Sequence, residues 1–177
     1  MVQVEATERF LSAPLFADAD EATRRTLVEA MVEGHAKAGT VLLAQGQPND
    51  HLSFLIGGSA AIERTRPDGL VEPLAAIHAP SVFGTTSFFS PGAPTYSVRA
   101  LSEVWLLTLY HPAHKRLRRD HPGAAEALAV AAVRVLSERF NELDRLFSNY
   151  MHDHPDETRR VNEWAGFRAR LFEEPAD

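Results

Sequence analysis

The stretch from Ala38 to about Leu109 constrains this chain more than any other. Short apolar bursts (TVLLA, LSFLI, SAAIE, VEPLAAI, YSVRAL, VWLLTL) follow one another closely, and the segments between them (QGQPND, GG, RPDG, SPGAP) are rich in glycine, proline and aspartate. Strands at this spacing with such turns predict an antiparallel roll or sandwich. RPDG, between AIERT and LVEPL, is the clearest turn: Pro67 presets φ and Gly69 tolerates a positive one.

The flanks have a different texture. Up to about Gly34 the sequence reads as helix, with Asp18 as the expected N-cap and Glu21 three residues on. Leu27 and Met31 share a face four residues apart, and Gly34 is the expected stop. From Pro112 the chain is helical again. HPAHKRLRRDHP predicts a short basic helix ended by Pro122, and GAAEALAVAAVRVLSERFNELDRLFSNYM predicts a long Ala/Leu-rich one. Leu136, Leu143 and Tyr150 recur every seven residues, with Leu146 between the last two and Phe140 and Phe147 on a flanking stripe. That is a seam for pairing with a second helix or with the chain's own roll. The pattern predicts class α+β: an antiparallel roll or sandwich flanked by an N-terminal helix and a long C-terminal helix. Residues 1–36 form the N-terminal helical segment, 37–111 the roll, 112–151 the short and long helices, and 152–177 a tail with room for one short helix.

Composition removes several function classes. The chain has 177 residues and no cysteine, so disulfides, thiolate metal sites and cysteine nucleophiles are excluded. A formal charge of −6 opposes general affinity for nucleic acid or anionic lipid. The N-terminus lacks the pattern of a signal peptide, and the longest apolar run, ALAVAAVRVL, is broken by Arg134. A cytoplasmic protein without a membrane span is expected.

The order helix, roll, long helix resembles the cyclic nucleotide-binding domain of the catabolite-activator type. AGTVLLAQGQPNDHLSFLIGGSAAI carries the opening signature: Gly39 before a strand, Gly46 and Asp50 in a turn, then the leucine–aromatic–aliphatic–glycine run. SVFG precedes the phosphate-binding cassette, VRALSEVWLLTL resembles the strand pair after it, and HKRLRRDHP the short helix before the lid-and-dimer helix. The resemblance covers roughly residues 10–150 and implies that the roll is an antiparallel β-roll or jelly roll (double-stranded β-helix).

It implies a ligand site at FGTTSFFSPGAPTYSVRA. In the family a glutamate after the FG pair holds the ribose, and an arginine in the following loop pairs with the cyclic phosphate. Here Phe83 and Gly84 match, but Thr85 stands at the glutamate position, and the arginine position falls on Pro94 or Thr95. Arg99, the stretch's single cation, reads as a strand side chain. The candidate ligand shell is therefore Phe83, Gly84, Thr85, Thr86, Ser87, Thr95 and Tyr96. Arg139 and Phe140 of the long helix join it if they close over the ligand, or else serve as solvated charge and seam packing. Losing one charged hydrogen bond, worth about 1.5–3 kcal/mol, weakens binding by roughly one to two orders of magnitude. Phe88, Phe89 and Tyr96 are large enough to plug such a pocket.

Nothing else rises to a site. HDH at His152–His154 has alternating ligand types but reads as exposed tail, and His78 before the cassette reads as a loop histidine. HKRLRRDH reads as the solvated face of a short helix. No nucleophile-elbow pattern or catalytic spacing is present, and no metal is expected. The 26 residues after Met151 are too few for a winged helix–turn–helix. The sequence thus predicts a non-catalytic regulatory or interaction module that binds cyclic nucleotide weakly or not at all. It is expected to pair as a homodimer through Leu136, Leu143, Leu146, Phe147 and Tyr150, with a protein partner and without direct nucleic-acid binding. The alternatives are a cyclic AMP or cyclic GMP sensor with a rewired pocket, or one taking another small anionic ligand, and a DNA-associated regulator acting through a partner.

Overall fold

The computed structural model describes residues 8–153, apart from 12 and 91, together with Gly166. The chain divides into two compact units, residues 1–132 and 133–177, and each is described by itself.

In the first unit two four-stranded antiparallel sheets make the roll. One has the order β1 (Val32–Ala36), β8 (Val104–Tyr110), β3 (His51–Gly57), β6 (Ser81–Phe83); the other has the order β2 (Val41–Leu43), β7 (Ser97–Ala100), β4 (Ser59–Thr65), β5 (Val71–His78). Both sheets contribute to one core of Leu43, Leu55, Ala60, Phe83, Val98, Ala100 and Val104. Alternation explains the sorting: along β7, Val98 and Ala100 are buried while Ser97 and Arg99 are only partly so. The RPDG turn forms as expected, Gly69 taking φ 84° and its amide donating to the Arg66 carbonyl at 2.9 Å. Gly58 turns the corner between β3 and β4 at φ 83°, where a Cβ would collide with the Glu103 carbonyl.

The N-terminal expectation needs correction. Helix α1 runs Glu21–Glu29, and its cap is Asp20, not Asp18: Asp20 Oδ1 accepts from the Thr23 amide at 2.7 Å. Leu27 is fully buried as expected, but Met31 lies beyond the helix end. Gly34 is not a helix stop; it lies within β1, which pairs with β8 from Val32↔Thr108 to Ala36↔Val104. The partner that makes this segment a strand lies far along the chain, so local pattern gave no sign of it. The roll therefore begins before residue 37.

The cassette helix α2 (Thr85–Phe89) lies between β6 and β7, and α3 (His111–Asp120) and α4 (Pro122–Asp153) follow β8. Tyr110 caps α3, Pro112 lies in its first turn, and Ala113 and Leu117 are buried. Pro122 opens α4 where its missing N–H costs nothing. Ala124, Ala125, Leu128, Ala131 and Ala132 of α4 are buried in the first unit. In the second unit Val133, Phe140, Leu143, Leu146 and Tyr150 are exposed, and Leu136 and Phe147 are half-buried. Val133 extends the seam, giving the alternating three- and four-residue spacing of Val133, Leu136, Phe140, Leu143, Phe147 and Tyr150.

Candidate functional site

The cassette begins at Gly84, whose φ of 82° lets the chain leave β6 and start α2. A Cβ here would lie 3.0 Å from the His51 carbonyl and 3.3 Å from Asn49 Nδ2, so glycine is required by both conformation and space. Asn49 is the residue that local sequence reasoning missed. Its Nδ2 donates to Ser87 Oγ at 2.9 Å and to the His51 carbonyl at 2.8 Å, fastening α2 to the start of β3. Its only sequence signal was membership of the QGQPND turn, where asparagine commonly bonds nearby backbone.

The hydroxyls divide into two pairs. Thr86 and Thr95 are exposed. Thr85 and Ser87 face inward: Ser87 is 6% exposed and also donates to the Gly84 carbonyl at 3.3 Å. Thr85 is 1% exposed, and its hydroxyl has no hydrogen-bond partner among the described residues. It lines a cavity of about 10 Å³ with Leu15, Phe16, Leu52, Phe54, Val82 and the α4 residues Leu128, Ala131 and Ala132. The side chain at the glutamate position is thus a core side chain in this structure.

The arginine position, Pro94 or Thr95, holds no cation. Pro94 is buried and its carbonyl accepts from the Gly46 amide at 2.9 Å. Arg99 lies in β7, where Nε and Nη2 contact Glu63 Oε1 at 2.9 and 2.8 Å and Nη1 donates to the Gly39 carbonyl at 3.0 Å. Phe83 and Tyr96 belong to the sheet core, Phe83 fully buried and Tyr96 packed against it. Arg139 and Phe140 lie on α4 in the second unit, both exposed.

The far end of α2 meets α3. Phe88 is buried with its ring 4.5 Å from His111 and 5.2 Å from His114, centroid to centroid, so it is a packing residue. His111 Nε2 lies 3.0 Å from the Phe88 carbonyl, so in the tautomer with the proton on Nε2 it donates there. Phe89 is exposed beside His114. Burial first, then the charges of Arg118 and His111, hold the His114 pKa below its ordinary value. Among the described residues no three His, Asp or Glu side chains gather as metal ligands, and no helix is long and apolar enough to cross a membrane. Residues 154–165 and 167–177, with the tail and the end of the His152–His154 motif, lie outside the described residues.

A family model described as the cyclic nucleotide-binding domain matches residues 33–121, half of the chain. The CRP-like cAMP-activated global transcriptional regulator of Mycobacterium tuberculosis is 34% identical over 113 residues, which are 63% of this chain and 50% of that regulator. The chain so spans about half the length of this curated relative. Among solved structures, the N-terminal domain of a transcriptional regulator from Streptomyces coelicolor A3(2) matches with a TM-score of 0.64 at 33% identity, over 74% of this chain and 94% of that one. A cyclic nucleotide-binding domain from Methylobacillus flagellatus matches with a TM-score of 0.72 over 84% of each chain; at 22% identity this likeness is one of fold.

Proposed function

The chain belongs to the cyclic nucleotide-binding domain family, and we propose that within it this protein is a non-catalytic, cytoplasmic regulatory module that binds cyclic nucleotide weakly or not at all. One observation carries the reading: both charged anchors of the cassette are replaced, by the buried Thr85 and by the Pro94–Thr95 loop, and Arg99 is engaged by Glu63. Two hydroxyls that would have to replace the anchors, on Thr85 and Ser87, are turned into the protein. The module pairs with a second copy through the seam of α4, whose apolar residues stand exposed at coiled-coil spacing. It acts through contacts with other proteins.

A second reading is favoured by the 34% identity to a regulator described as cAMP-activated. In it the protein is a sensor whose pocket uses Thr86, Thr95, Tyr96 and the backbone at Gly84, with Arg139 as the replacement cation and Phe140 against the base.

Calorimetric titration with cyclic AMP and cyclic GMP, up to millimolar ligand, separates the two. Flat traces, or heats that do not saturate below millimolar ligand, are expected for the first. Saturable micromolar binding that is lost in Arg139→Ala supports the second and overturns the first.

A further inference from the structure

We propose that the outer face of α3 is a docking surface for an acidic segment of another protein. This rests on the reading that the module acts through protein contacts, and it concerns a surface outside the nucleotide cassette.

At about 100° per residue, His111, His114, Lys115, Arg118 and Arg119 fall on one side of α3, opposite its buried Ala113 and Leu117. Lys115, Arg116, Arg118 and Arg119 are all exposed. Arg119 contacts the neighbouring Asp120 at 2.7 Å, whereas Lys115, Arg116 and Arg118 form no salt bridge among the described residues. Arg25 pairs with Glu21, Arg66 with Asp68, Arg99 with Glu63 and Arg145 with Glu142, while Lys37 and Arg64, like the α3 cations, form no salt bridge among the described residues but stand apart from any basic cluster.

The helix itself does not call for the cluster. Cations in the last turn complement the helix dipole, which accounts for Arg118 and Arg119. Arg116 lies four residues from Asp120 and its charge helps hold that carboxyl low, but Lys115 stands mid-helix three and four residues from Arg118 and Arg119, and like charges at that spacing weaken a helix. Burial is the main cause of the lowered His114 pKa, and the charge of Arg118 adds to it. Phe89, 37% exposed, borders the patch, its ring held edge-on by Phe88 and His114 at centroid distances of 5.1 and 5.7 Å.

The size of the patch selects the partner. Ten residues of helix extend about 15 Å, and at physiological salt the field of a charge fades over about 8 Å. The rest of a chain of net charge −6 is necessarily more acidic than the whole. A nucleic-acid duplex, with one charge per about 1.7 Å of axis, would carry most of its charge past the patch onto that acidic surface. A short acidic segment ends where the patch ends, and an apolar side chain beside its carboxylates has Phe89 to contact.

The test is fluorescence anisotropy of a labelled peptide of six glutamates and one leucine against the full chain at 50 and 200 mM salt. The expected result is saturable binding, weaker at the higher salt, and weakened about tenfold in the double variant Lys115→Glu/Arg118→Glu. Arg64→Glu, at an exposed cation elsewhere, should leave it unchanged. If the double charge reversal fails to fold, as judged by circular dichroism, Lys115→Gln/Arg118→Gln takes its place and should give a smaller loss. Absence of saturable binding, equal binding by the α3 and Arg64 variants, or tighter binding of a 20-base-pair duplex or of phosphatidylserine vesicles would overturn the proposal. Failure of the nucleotide reading shows in the calorimetry, and failure of the docking surface shows here.

Discussion

Thr85→Val removes one oxygen and keeps the shape of the side chain. In the wild type that hydroxyl is buried, has no partner among the described residues, and stands among Leu52, Phe54, Val82 and Leu128. Taking a hydroxyl out of water without a compensating hydrogen bond costs roughly 1–3 kcal/mol in proteins. Valine has the same β-branch and the same stiffness at χ1, so little is lost in exchange. The expected gain is about 1–2 kcal/mol, or about 2–8 °C in Tm for a chain of this size. Urea unfolding is the direct assay, with the midpoint raised and the slope unchanged. A neutral or destabilised variant would refute the reasoning. It would mean that the hydroxyl is satisfied, most simply by one water in the adjoining cavity, which has room for about one. Thr85→Glu is the complementary change. It places the family's carboxylate in a site that is 1% exposed, and it should cost several kcal/mol while adding nothing to the nucleotide heats.

Two further outcomes follow from the helices. The His114 pKa is held below 6.5 by burial, Arg118 and His111, so just below that pH the unfolded chain binds more protons than the folded one. This contribution to stability is fully present above about 6.5 and is lost as the pH falls through the folded value. Thermal melts from pH 8 to 5 should show a steeper acid loss for the wild type than for His114→Gln, and parallel profiles would sink this assignment. Leu143, 57% exposed on the seam, should be buried when two copies pair. Leu143→Asp should then raise the dimer dissociation constant more than about tenfold in sedimentation equilibrium, and an unchanged constant would remove α4 as the interface.

The legible parts of the fold were those whose determinants are local. The RPDG hairpin needs only a proline, an aspartate and a glycine at fixed offsets, and it formed where they stand. The boundary between α3 and α4 needs only Pro122. β1 was illegible because VEGHA has one large apolar residue, Val32, which is exposed, and takes its conformation from β8. The cap at Asp20 was misplaced by two residues in a stretch, ADAD, that offers two aspartates. At the cassette the residue types were legible and their directions were not. Three consecutive hydroxyl residues look equivalent on paper, yet the short helix from Gly84 turns Thr85 and Ser87 inward and Thr86 outward. Asn49 was hidden for a different reason: its partner Ser87 lies in another element, and only the folded chain brings them within 2.9 Å.

Regulation by a ligand requires that it bind two states of the protein with different affinity. The largest source of such a difference in a charged cassette is the pairing of fixed charges with a phosphate, and that source is missing here. What holds α2 instead is internal: Asn49 to Ser87 at one end, His111 and its ring contact to Phe88 at the other. A hydrogen bond such as that from Asn49 to Ser87 is worth about 1 kcal/mol net, and under the proposed weak-binding reading a ligand has little left to shift. The same His111 belongs to α3, which carries the basic cluster. A partner that engaged α3 would therefore press on the cassette through the His111–Phe88 contact, and by reciprocity anything that moved α2 would alter the affinity for that partner. Under the proposed reading of a cassette without its charges, the stronger handle on α2 lies on α3.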